Sequence, residues 1–375
     1  MKEYEFTGKP NLSKDDLVAV INSLSTNNLN TGKIVYQFEK ALEKYVNVKH
    51  AVIVSNGSVA IYLALEALGI GKGDEVITTP ISYIATTNAI EMTGAKPVFA
   101  DIDKNTFELN LDSAKDKITS NTKAILPVDL GGLPCDYSSL ENFANENKFA
   151  LIIDGAQSLS GRFRKRKAGS FGTVTTTSFH PVKPITTGIG GCIFTSSDSL
   201  YAKLIELRKN GLLYKESKDS PQIYDCVIPS LNYQMSDIEA ALGLSQLSRI
   251  DEMREIREKI YEYYAISLKK YSSIKMQKIP KNRTSSYHLC ICEMDNKINR
   301  NELYAFLKRY KIAVNYHYPV IPNMYYYKNK YVTKDIDVAL NYSTREISLP
   351  IHSSMTIKDA RYIVEKINQF MEMKG

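Results

Sequence analysis

The chain has 375 residues, of which 43% are hydrophobic and 24% charged, a composition that excludes disordered, collagen-like and small disulfide-stapled proteins. Its 48 Lys and Arg residues against 41 Asp and Glu give a net charge of +7, spread along the chain without a basic tail, so nucleic-acid binding is not indicated. The length exceeds what one hydrophobic core usually supports and predicts a large domain that carries a smaller one.

The first half of the chain has the pattern of an α/β protein. A helix is predicted to begin at the capping box of Ser13 and Asp16, with Leu17, Val20, Ile21 and Leu24 on one face. From about residue 50 to 200, short β-rich runs alternate with helical periodicity, which predicts a mostly parallel sheet covered by helices on both faces. The predicted strands are 50–54, 75–78, 97–100, 124–128, 150–153, 173–179 and 192–195, and the helices among them are 58–68, 83–92 and 137–146.

The second half predicts a smaller domain reached through a long helix. A capping box of Ser236 and Glu239 opens a helical pattern that runs to about Lys269 and is long enough to link two lobes. The remaining residues predict strands at 287–293 and 312–317 and helices at 300–309 and 357–373. We therefore expect a large domain over residues 1–245 and a small C-terminal α+β domain over 246–375.

The cysteines and the apolar runs indicate a cytoplasmic protein. The five cysteines are an odd number and none form a C-x-x-C pair, so neither a zinc site nor a disulfide framework is expected, and we predict no metal. The N-terminus carries charges at its second and third residues without an apolar core, and no run approaches the 18 apolar residues of a membrane span. We expect neither a membrane nor nucleic acid as a partner.

Two junctions between strand and helix carry candidate binding residues. Ser55-Asn56-Gly57-Ser58 follows the first strand, where Gly57 would let the backbone approach a phosphate and the hydroxyls could add hydrogen bonds. The same residue types also serve as ordinary turns and caps. Asp154 follows the strand 150–153, so its carboxylate is expected at the ligand edge of the sheet; the alternative is a helix cap or a surface ion pair.

The segment from Ser178 to Gly191 is the most unusual stretch of the chain. It places Lys183 between Pro181 and Pro184, ahead of a Thr-Thr pair and three glycines, and it joins two strands that are predicted to be buried. An amine held in a desolvated loop loses its charge more easily and can form a Schiff base with a carbonyl. The alternative is a solvated loop lysine, but the surrounding prolines and glycines favour the reactive role.

A basic run at Arg162, Arg164, Lys165, Arg166 and Lys167 follows the Asp154 motif. A hairpin could bring it to a polyphosphate, although so short a run is also typical of a solvated turn.

Four separated motifs, in order, resemble the nucleotide-sugar aminotransferases of the DegT/DnrJ/EryC1/StrS family. They are Ser-Asn-Gly-Ser at 55–58, Asp-Gly-Ala-Gln at 154–157, Ser-Phe-His-Pro-x-Lys at 178–183 and Asn-Tyr-Gln-Met-Ser-Asp-Ile-Glu-Ala-Ala-Leu-Gly at 232–243. The resemblance covers nearly the whole chain. It implies the type I fold of pyridoxal 5′-phosphate (PLP)-dependent transferases, which is aspartate aminotransferase-like, with PLP as cofactor and a homodimer with shared active sites.

The resemblance also implies roles for individual residues. Lys183 matches the lysine that forms the Schiff base and moves protons, and Asp154 the carboxylate that keeps the pyridine nitrogen protonated so that the ring accepts electrons. Tyr83 matches the ring that stacks on the cofactor, and Gln157 the residue that contacts its other face or its phenolic oxygen. The phosphate would be held by the backbone amides of Gly57 and Ser58, by the Ser178 hydroxyl and, from the partner subunit, by Asn232.

The implied reaction moves the amino group of L-glutamate to a nucleotide-linked keto-sugar. Some relatives carry histidine in place of Lys183 and act as dehydratases, and others are described as regulators; Lys183 together with Asp154 argues against both. The segments 78–88, 183–187, 287–289, 314–319 and 347–352 resemble the branch that aminates C4 of a UDP-linked 4-keto-6-deoxy-N-acetylhexosamine on the way to pseudaminic acid. The product would be UDP-4-amino-4,6-dideoxy-N-acetyl-β-L-altrosamine.

Two positions depart from the expected pattern. Gln157 stands where that branch tends to have His, and Ile189 stands where the family usually has Glu. Another 4-keto-6-deoxy sugar, linked to UDP or dTDP, is therefore the alternative substrate. The candidate substrate-binding residues in these segments are His180, His288, Tyr316 and His317, although a single histidine is also commonly structural.

Overall fold

The computed structural model describes Tyr4 and residues 10–26, 29–215, 223–331 and 333–374. The helices in these ranges are α1 (Lys14–Leu24), α2 (Lys33–Val46), α3 (Gly57–Ala67), α4 (Ala85–Met92), α5 (Leu111–Lys115), α6 (Tyr137–Asn147), α7 (Asp198–Arg208), α8 (Asp237–Leu247), α9 (Ile250–Leu268), α10 (Arg300–Arg309), α11 (Tyr325–Lys328), α12 (Asp337–Arg345) and α13 (Ile357–Glu372).

Seven strands form the central sheet: β1 (His50–Val54), β2 (Glu75–Thr78), β3 (Lys96–Phe99), β4 (Thr122–Leu126), β5 (Ala150–Asp154), β8 (Val174–Ser178) and β9 (Gly191–Thr195). The remaining strands are β6 (Arg162–Phe163), β7 (Arg166–Lys167), β10 (Leu212–Lys215), β11 (Ile223–Cys226), β12 (Ile274–Met276), β13 (Arg283–Thr284), β14 (Cys290–Met294) and β15 (Glu346–Leu349). The order across the central sheet is β1-β9-β8-β5-β4-β2-β3, and β9 is antiparallel to both of its neighbours while the other neighbouring pairs are parallel. The predicted α/β class and mostly parallel sheet are confirmed.

The central sheet is buried on both faces because side chains alternate between them. Val52 and Val54 of β1 pack with Ile152 of β5 and the apolar residues of α3. Ile53, which lies between the two valines, packs on the other face with Phe38 of α2 and residues of α8. Strands covered on both sides read as continuous apolar runs, which is why the pattern predicted them well.

The C-terminal part of the chain has a hydrophobic core of its own. The antiparallel sheet β12-β14-β15 packs with residues of α9, α10 and α13 in a single cluster. The division into a large domain over residues 1–245 and a small α+β domain over 246–375 stays a prediction.

Two predicted elements in this half are wrong in detail. The single helix from Ser236 to Lys269 is two helices, α8 and α9, because Arg249 leaves the helical conformation and its guanidinium donates to the Asp16 carboxylate at 2.6 Å. The predicted strand 312–317 is reduced to isolated bridges at Ile312 and Asn315. Its backbone leaves the ladder because the His317 amide donates to the Glu346 carboxylate at 2.6 Å.

Helix α1 exposes the apolar face that the sequence pattern would bury. Leu17, Ile21 and Leu24 are each more than half exposed, whereas Asp16 and Ser23 are buried against the protein. Asp16 sets this orientation, since it accepts hydrogen bonds from Ser245 and Gln246 of α8. In the described ranges, the helices all lack the length or the apolar content that crossing a membrane requires.

Candidate active site

A cleft of about 470 Å³ opens at the carboxyl ends of the parallel strands, the edge at which such sheets bind ligands. It collects ten of the residues that the sequence singled out: Gly57, Ser58, Tyr83, Asp154, Gln157, Ser178, His180, Lys183, His288 and His317. The sheet places them together because β1, β5 and β8 lie close in the strand order and end side by side.

Asp154 is the buried carboxylate of the cleft. It ends β5 with 5% of its surface exposed, and it accepts hydrogen bonds from the Thr86 hydroxyl at 2.7 Å and the Ala156 amide at 3.1 Å. Burial raises the pKa of Asp154, while the Thr86 hydrogen bond and the charge of Lys183 oppose that rise. A buried carboxylate of this kind is suited to a cationic group of a ligand.

Lys183 is half-buried in the loop between β8 and β9. Desolvation lowers the pKa of its amine to about 8, and the nearby Asp154 carboxylate limits the decrease. An amine that ionises so close to neutrality is available as a nucleophile and as a proton carrier.

The N-terminus of α3 has the shape of a phosphate site. Asn56 caps the helix by accepting from the Val59 amide at 2.9 Å, and Gly57 begins it. A Cβ at Gly57 would lie 2.7 Å from the Cβ of Ser178 and 3.0 Å from its Oγ, so this close approach requires glycine. The Ser178 side chain therefore lies against the first residue of α3, at the helix end whose free amides can bind an anion.

Gln157 has a defined orientation at the wall of the cleft. Its Oε1 accepts from the Gly131 amide at 2.8 Å, and its Nε2 donates to the Tyr318 hydroxyl at 3.3 Å. The Tyr318 ring in turn lies edge-on to Tyr83, with 6.3 Å between ring centroids. Tyr83 is 60% exposed and leaves room for a flat ligand beside it.

The histidines of the cleft are held neutral. Burial lowers the pKa of His317 to about 3 and that of His288 well below its usual range, and the charge of Lys183 adds to both effects. Burial and Lys183 also lower the pKa of His180. Nδ1 of His317 lies 3.1 Å from the Ser348 hydroxyl, which donates to the buried Glu346. These imidazoles therefore offer hydrogen bonds rather than charge.

Two predicted site residues lie outside the cleft of this chain. The Tyr316 hydroxyl donates to Asn301 at 2.8 Å, and its ring lies 3.9 Å from the Arg300 guanidinium. Asn232 is exposed and accepts from the Gln234 amide at 3.1 Å.

The basic run from Arg162 to Lys167 also stays away from the cleft lining. It forms the β6–β7 hairpin, where Arg166 packs 4.0 Å from the Phe171 ring centroid and Lys167 pairs with Asp251 at 2.9 Å.

Further polar residues complete the cleft that the sequence pattern did not single out, although they lie within the segments 78–88 and 314–319. Ser82 lies 2.7 Å from the hydroxyl of Thr86, which donates to Asp154, and Asn315 and Tyr318 also line the cleft. The available signal was the cluster of hydroxyls after β2, since polar residues that follow a buried strand reach the same edge as Asp154.

Comparisons with known proteins agree with this geometry. Residues 10–368 match the DegT/DnrJ/EryC1/StrS aminotransferase family, and the chain belongs to that family. It is 33% identical over 366 residues to the UDP-4-amino-4,6-dideoxy-N-acetyl-beta-L-altrosamine transaminase of Campylobacter jejuni, with 96% of each chain covered. It is 34% identical over 343 residues to the GDP-perosamine synthase of Escherichia coli O157:H7, with 92% of each covered.

The fold also matches a solved relative. The PLP form of the putative sugar aminotransferase Spr1654 from Streptococcus pneumoniae superposes with a TM-score of 0.93 at 28% identity, with both chains covered completely. The predicted PLP-dependent type I fold is thereby confirmed, and the chain is a PLP-dependent sugar aminotransferase. The buried carboxylate, the amine of low pKa and the glycine at the helix N-terminus fit the pyridine nitrogen, aldehyde and phosphate of PLP.

Proposed function

We propose that this protein transfers the amino group of L-glutamate to C4 of a UDP-linked 4-keto-6-deoxy-N-acetylhexosamine. The product would be UDP-4-amino-4,6-dideoxy-N-acetyl-β-L-altrosamine. The observation that carries the transfer chemistry is that one cleft holds both Lys183, whose pKa is about 8, and the buried carboxylate of Asp154. The sugar is proposed from the resemblance of the substrate segments and from the similarity to the Campylobacter enzyme.

Each residue of the cleft has a distinct task in this proposal. Bound PLP supplies an aldehyde for an amine and a ring that accepts electrons. Asp154 holds a proton on the pyridine nitrogen, and Thr86 orients Asp154 by donating to its carboxylate at 2.7 Å. Gly57, Ser58 and Ser178 bind the phosphate, and Tyr83 and Gln157 orient the ring.

Lys183 moves the protons of the reaction. Its neutral amine removes the α-proton of glutamate at Nζ, and after 2-oxoglutarate leaves, Lys183 delivers a proton to the sugar carbon that becomes C4–H of the amine. The neutral imidazoles of His180, His288 and His317 line the space beside it and are proposed to bind the sugar by hydrogen bonds.

The working unit is proposed to be a homodimer. The exposed apolar face of α1 is suited to a subunit interface, because burying Leu17, Ile21 and Leu24 removes apolar surface from water. Asn232, which is exposed and outside its own cleft, would then reach the phosphate of the partner's site. Asn232→Ala is expected to weaken PLP retention; unchanged retention and activity would refute the shared-site contact.

The absorbance of the purified holoenzyme tests the transfer chemistry. L-Glutamate alone should change the visible spectrum of bound PLP, and Lys183→Ala should abolish that change while Lys115→Ala, at an exposed lysine, preserves it. A protein that holds PLP without any glutamate-driven change would be a regulator, and the proposed transaminase would be excluded.

A panel of nucleotide sugars tests the substrate. The UDP-linked 4-keto-6-deoxy-N-acetylhexosamine should restore the original spectrum fastest after glutamate treatment. The competing candidates are dTDP-linked 4-keto-6-deoxy sugars and, because of the similarity to a GDP-perosamine synthase, a GDP-linked one. If a dTDP- or GDP-linked sugar restores the spectrum faster, that sugar is the substrate instead of the UDP sugar. The proposed transfer chemistry would be unaffected.

A further inference from the structure

A small second cavity lies behind the Lys183 loop. Its volume is about 30 Å³, enough for one water molecule or one small ion. Its lining includes the loop itself, from Pro181 to Pro184, and Arg257 of α9. Lys183 and His288 line both this cavity and the cleft, so the two spaces share a boundary.

Arg257 is a buried cation without a carboxylate partner among the described residues. It is 5% exposed and its Nε donates to the Ser286 carbonyl at 3.0 Å, while its Nη2 is buried and finds no hydrogen-bond partner in the described part of the chain. Burial lowers its pKa to about 10, and the neighbouring Arg254 adds to the decrease. A guanidinium with a free buried donor is costly unless an acceptor reaches it.

The described lining of the cavity contains the Arg257 cation and no carboxylate. Besides Arg257 it includes Lys183, His288 and His352, together with the polar Asn11, Thr186, Gln246 and Ser353. Arg254, one turn earlier on α9, has a carboxylate partner, since it pairs with Glu258 at 2.7 Å. A water molecule could accept one hydrogen bond from Nη2, but only an anion would also offset the charge.

We propose that this cavity is a binding site for a small monovalent anion of the size of chloride, held by Nη2 of Arg257 behind the Lys183 loop. The anion offsets the positive charge of the guanidinium and links α9 to the loop that carries the reactive lysine. This site adjoins the cleft at Lys183 and His288, but Arg257, which would hold the anion, does not line the cleft.

Halide-dependent unfolding of the holoenzyme tests the site. Replacing gluconate by chloride at constant ionic strength should raise the midpoint of thermal unfolding by about 2 °C or more, since a ligand of the native state stabilises it. Arg257→Met should remove this dependence, and Arg254→Met, at an arginine with its own carboxylate, should retain it. An equal response in wild type and Arg257→Met would refute the proposal.

Crystals of the wild-type holoenzyme grown in bromide provide a test that needs no variant. An anomalous peak within hydrogen-bond distance of Nη2 of Arg257 is the expected result. Ordinary water density there, without an anomalous signal, would overturn the proposal even if Arg257→Met fails to fold. Neither measurement depends on the transaminase reaction, so loss of the anion site would leave the proposed function standing.

Discussion

At the level of single residues, the cleft brings the pKa values of Asp154 and Lys183 closer together. Burial raises the pKa of Asp154 and lowers that of Lys183, and the attraction between carboxylate and ammonium opposes both shifts. The balance leaves a lysine that changes charge near pH 8 rather than near its ordinary 10.5. The reactive form of the amine is therefore populated at a pH at which exposed lysines remain charged.

The titration of Lys183 is the first prediction. Below pH 8 its amine should be protonated, and its acylation by acetic anhydride in the apoprotein should rise with a midpoint near pH 8. Asp154→Asn removes the negative charge that favours the ammonium, so the midpoint should fall below 8. Peptide mass spectrometry measures the rate at each pH, with Lys115 as internal control because its hydrogen bond with Asp112 raises its pKa. Parallel titration of both lysines would contradict the prediction.

The second prediction concerns the close approach at Gly57. Gly57→Ala would place a methyl group 2.7 Å from the Cβ of Ser178, so the phosphate site must widen, and we expect the Kd of PLP to increase about tenfold. Gly71→Ala is the matched control, since its added Cβ would meet only the Thr93 carbonyl at 3.4 Å. Absorbance titration of the apoproteins measures both constants, and equal values would show that the helix N-terminus does not hold the phosphate.

At the scale of elements, a buried carboxylate organises the junction of α1, α8 and α9. Asp16 accepts hydrogen bonds from Ser245, Gln246 and Arg249, each at 2.6 Å. Burial raises the pKa of Asp16, but these hydrogen bonds and the Ser13 amide outweigh it and lower the pKa below its ordinary value. The helix break at Arg249 and the orientation of α1 thus depend on one side chain.

Asp16→Asn is the third prediction. It should reduce the free energy of unfolding by about 2 kcal/mol near pH 7, because Arg249 loses its buried partner. The folded-state pKa of Asp16 is depressed, so its contribution is complete above the unfolded value of about 3.9 and disappears as pH falls through the folded value. Urea unfolding at pH 7 measures the loss, with the neighbouring, exposed Asp15→Asn as control. Equal stability of the two variants would refute this role.

At the scale of the whole molecule, the fourth prediction is that α1 joins two subunits. Leu17→Glu with Ile21→Glu should give a monomer in sedimentation experiments, because two charges in a buried apolar interface cannot be solvated. The matched control is Ile266→Glu, since Ile266 is 77% exposed on α9. If the α1 variant stays a dimer while the α9 variant becomes a monomer, the interface does not lie at α1.

The central sheet could be predicted from the sequence, and so could the candidate reacting groups. Strands such as β1 and β5 are covered on both faces, so their apolar runs are local signals, and the residues that follow them must reach the ligand edge. Asp154 could be named for that reason and Lys183 from the prolines and glycines around it, and the family motifs then suggested their roles.

The departures of the chain from its local pattern needed the folded structure to be seen. The break between α8 and α9, the loss of the strand near residue 315 and the outward apolar face of α1 each involve a hydrogen bond from Asp16 or Glu346 to a residue distant in sequence. The contacts of Thr86 with Asp154 and of Arg257 with the Ser286 carbonyl are of the same kind. Hydrogen bonds between residues far apart in the chain leave no periodic signal, because the pattern of any one segment records only its own exposure to water.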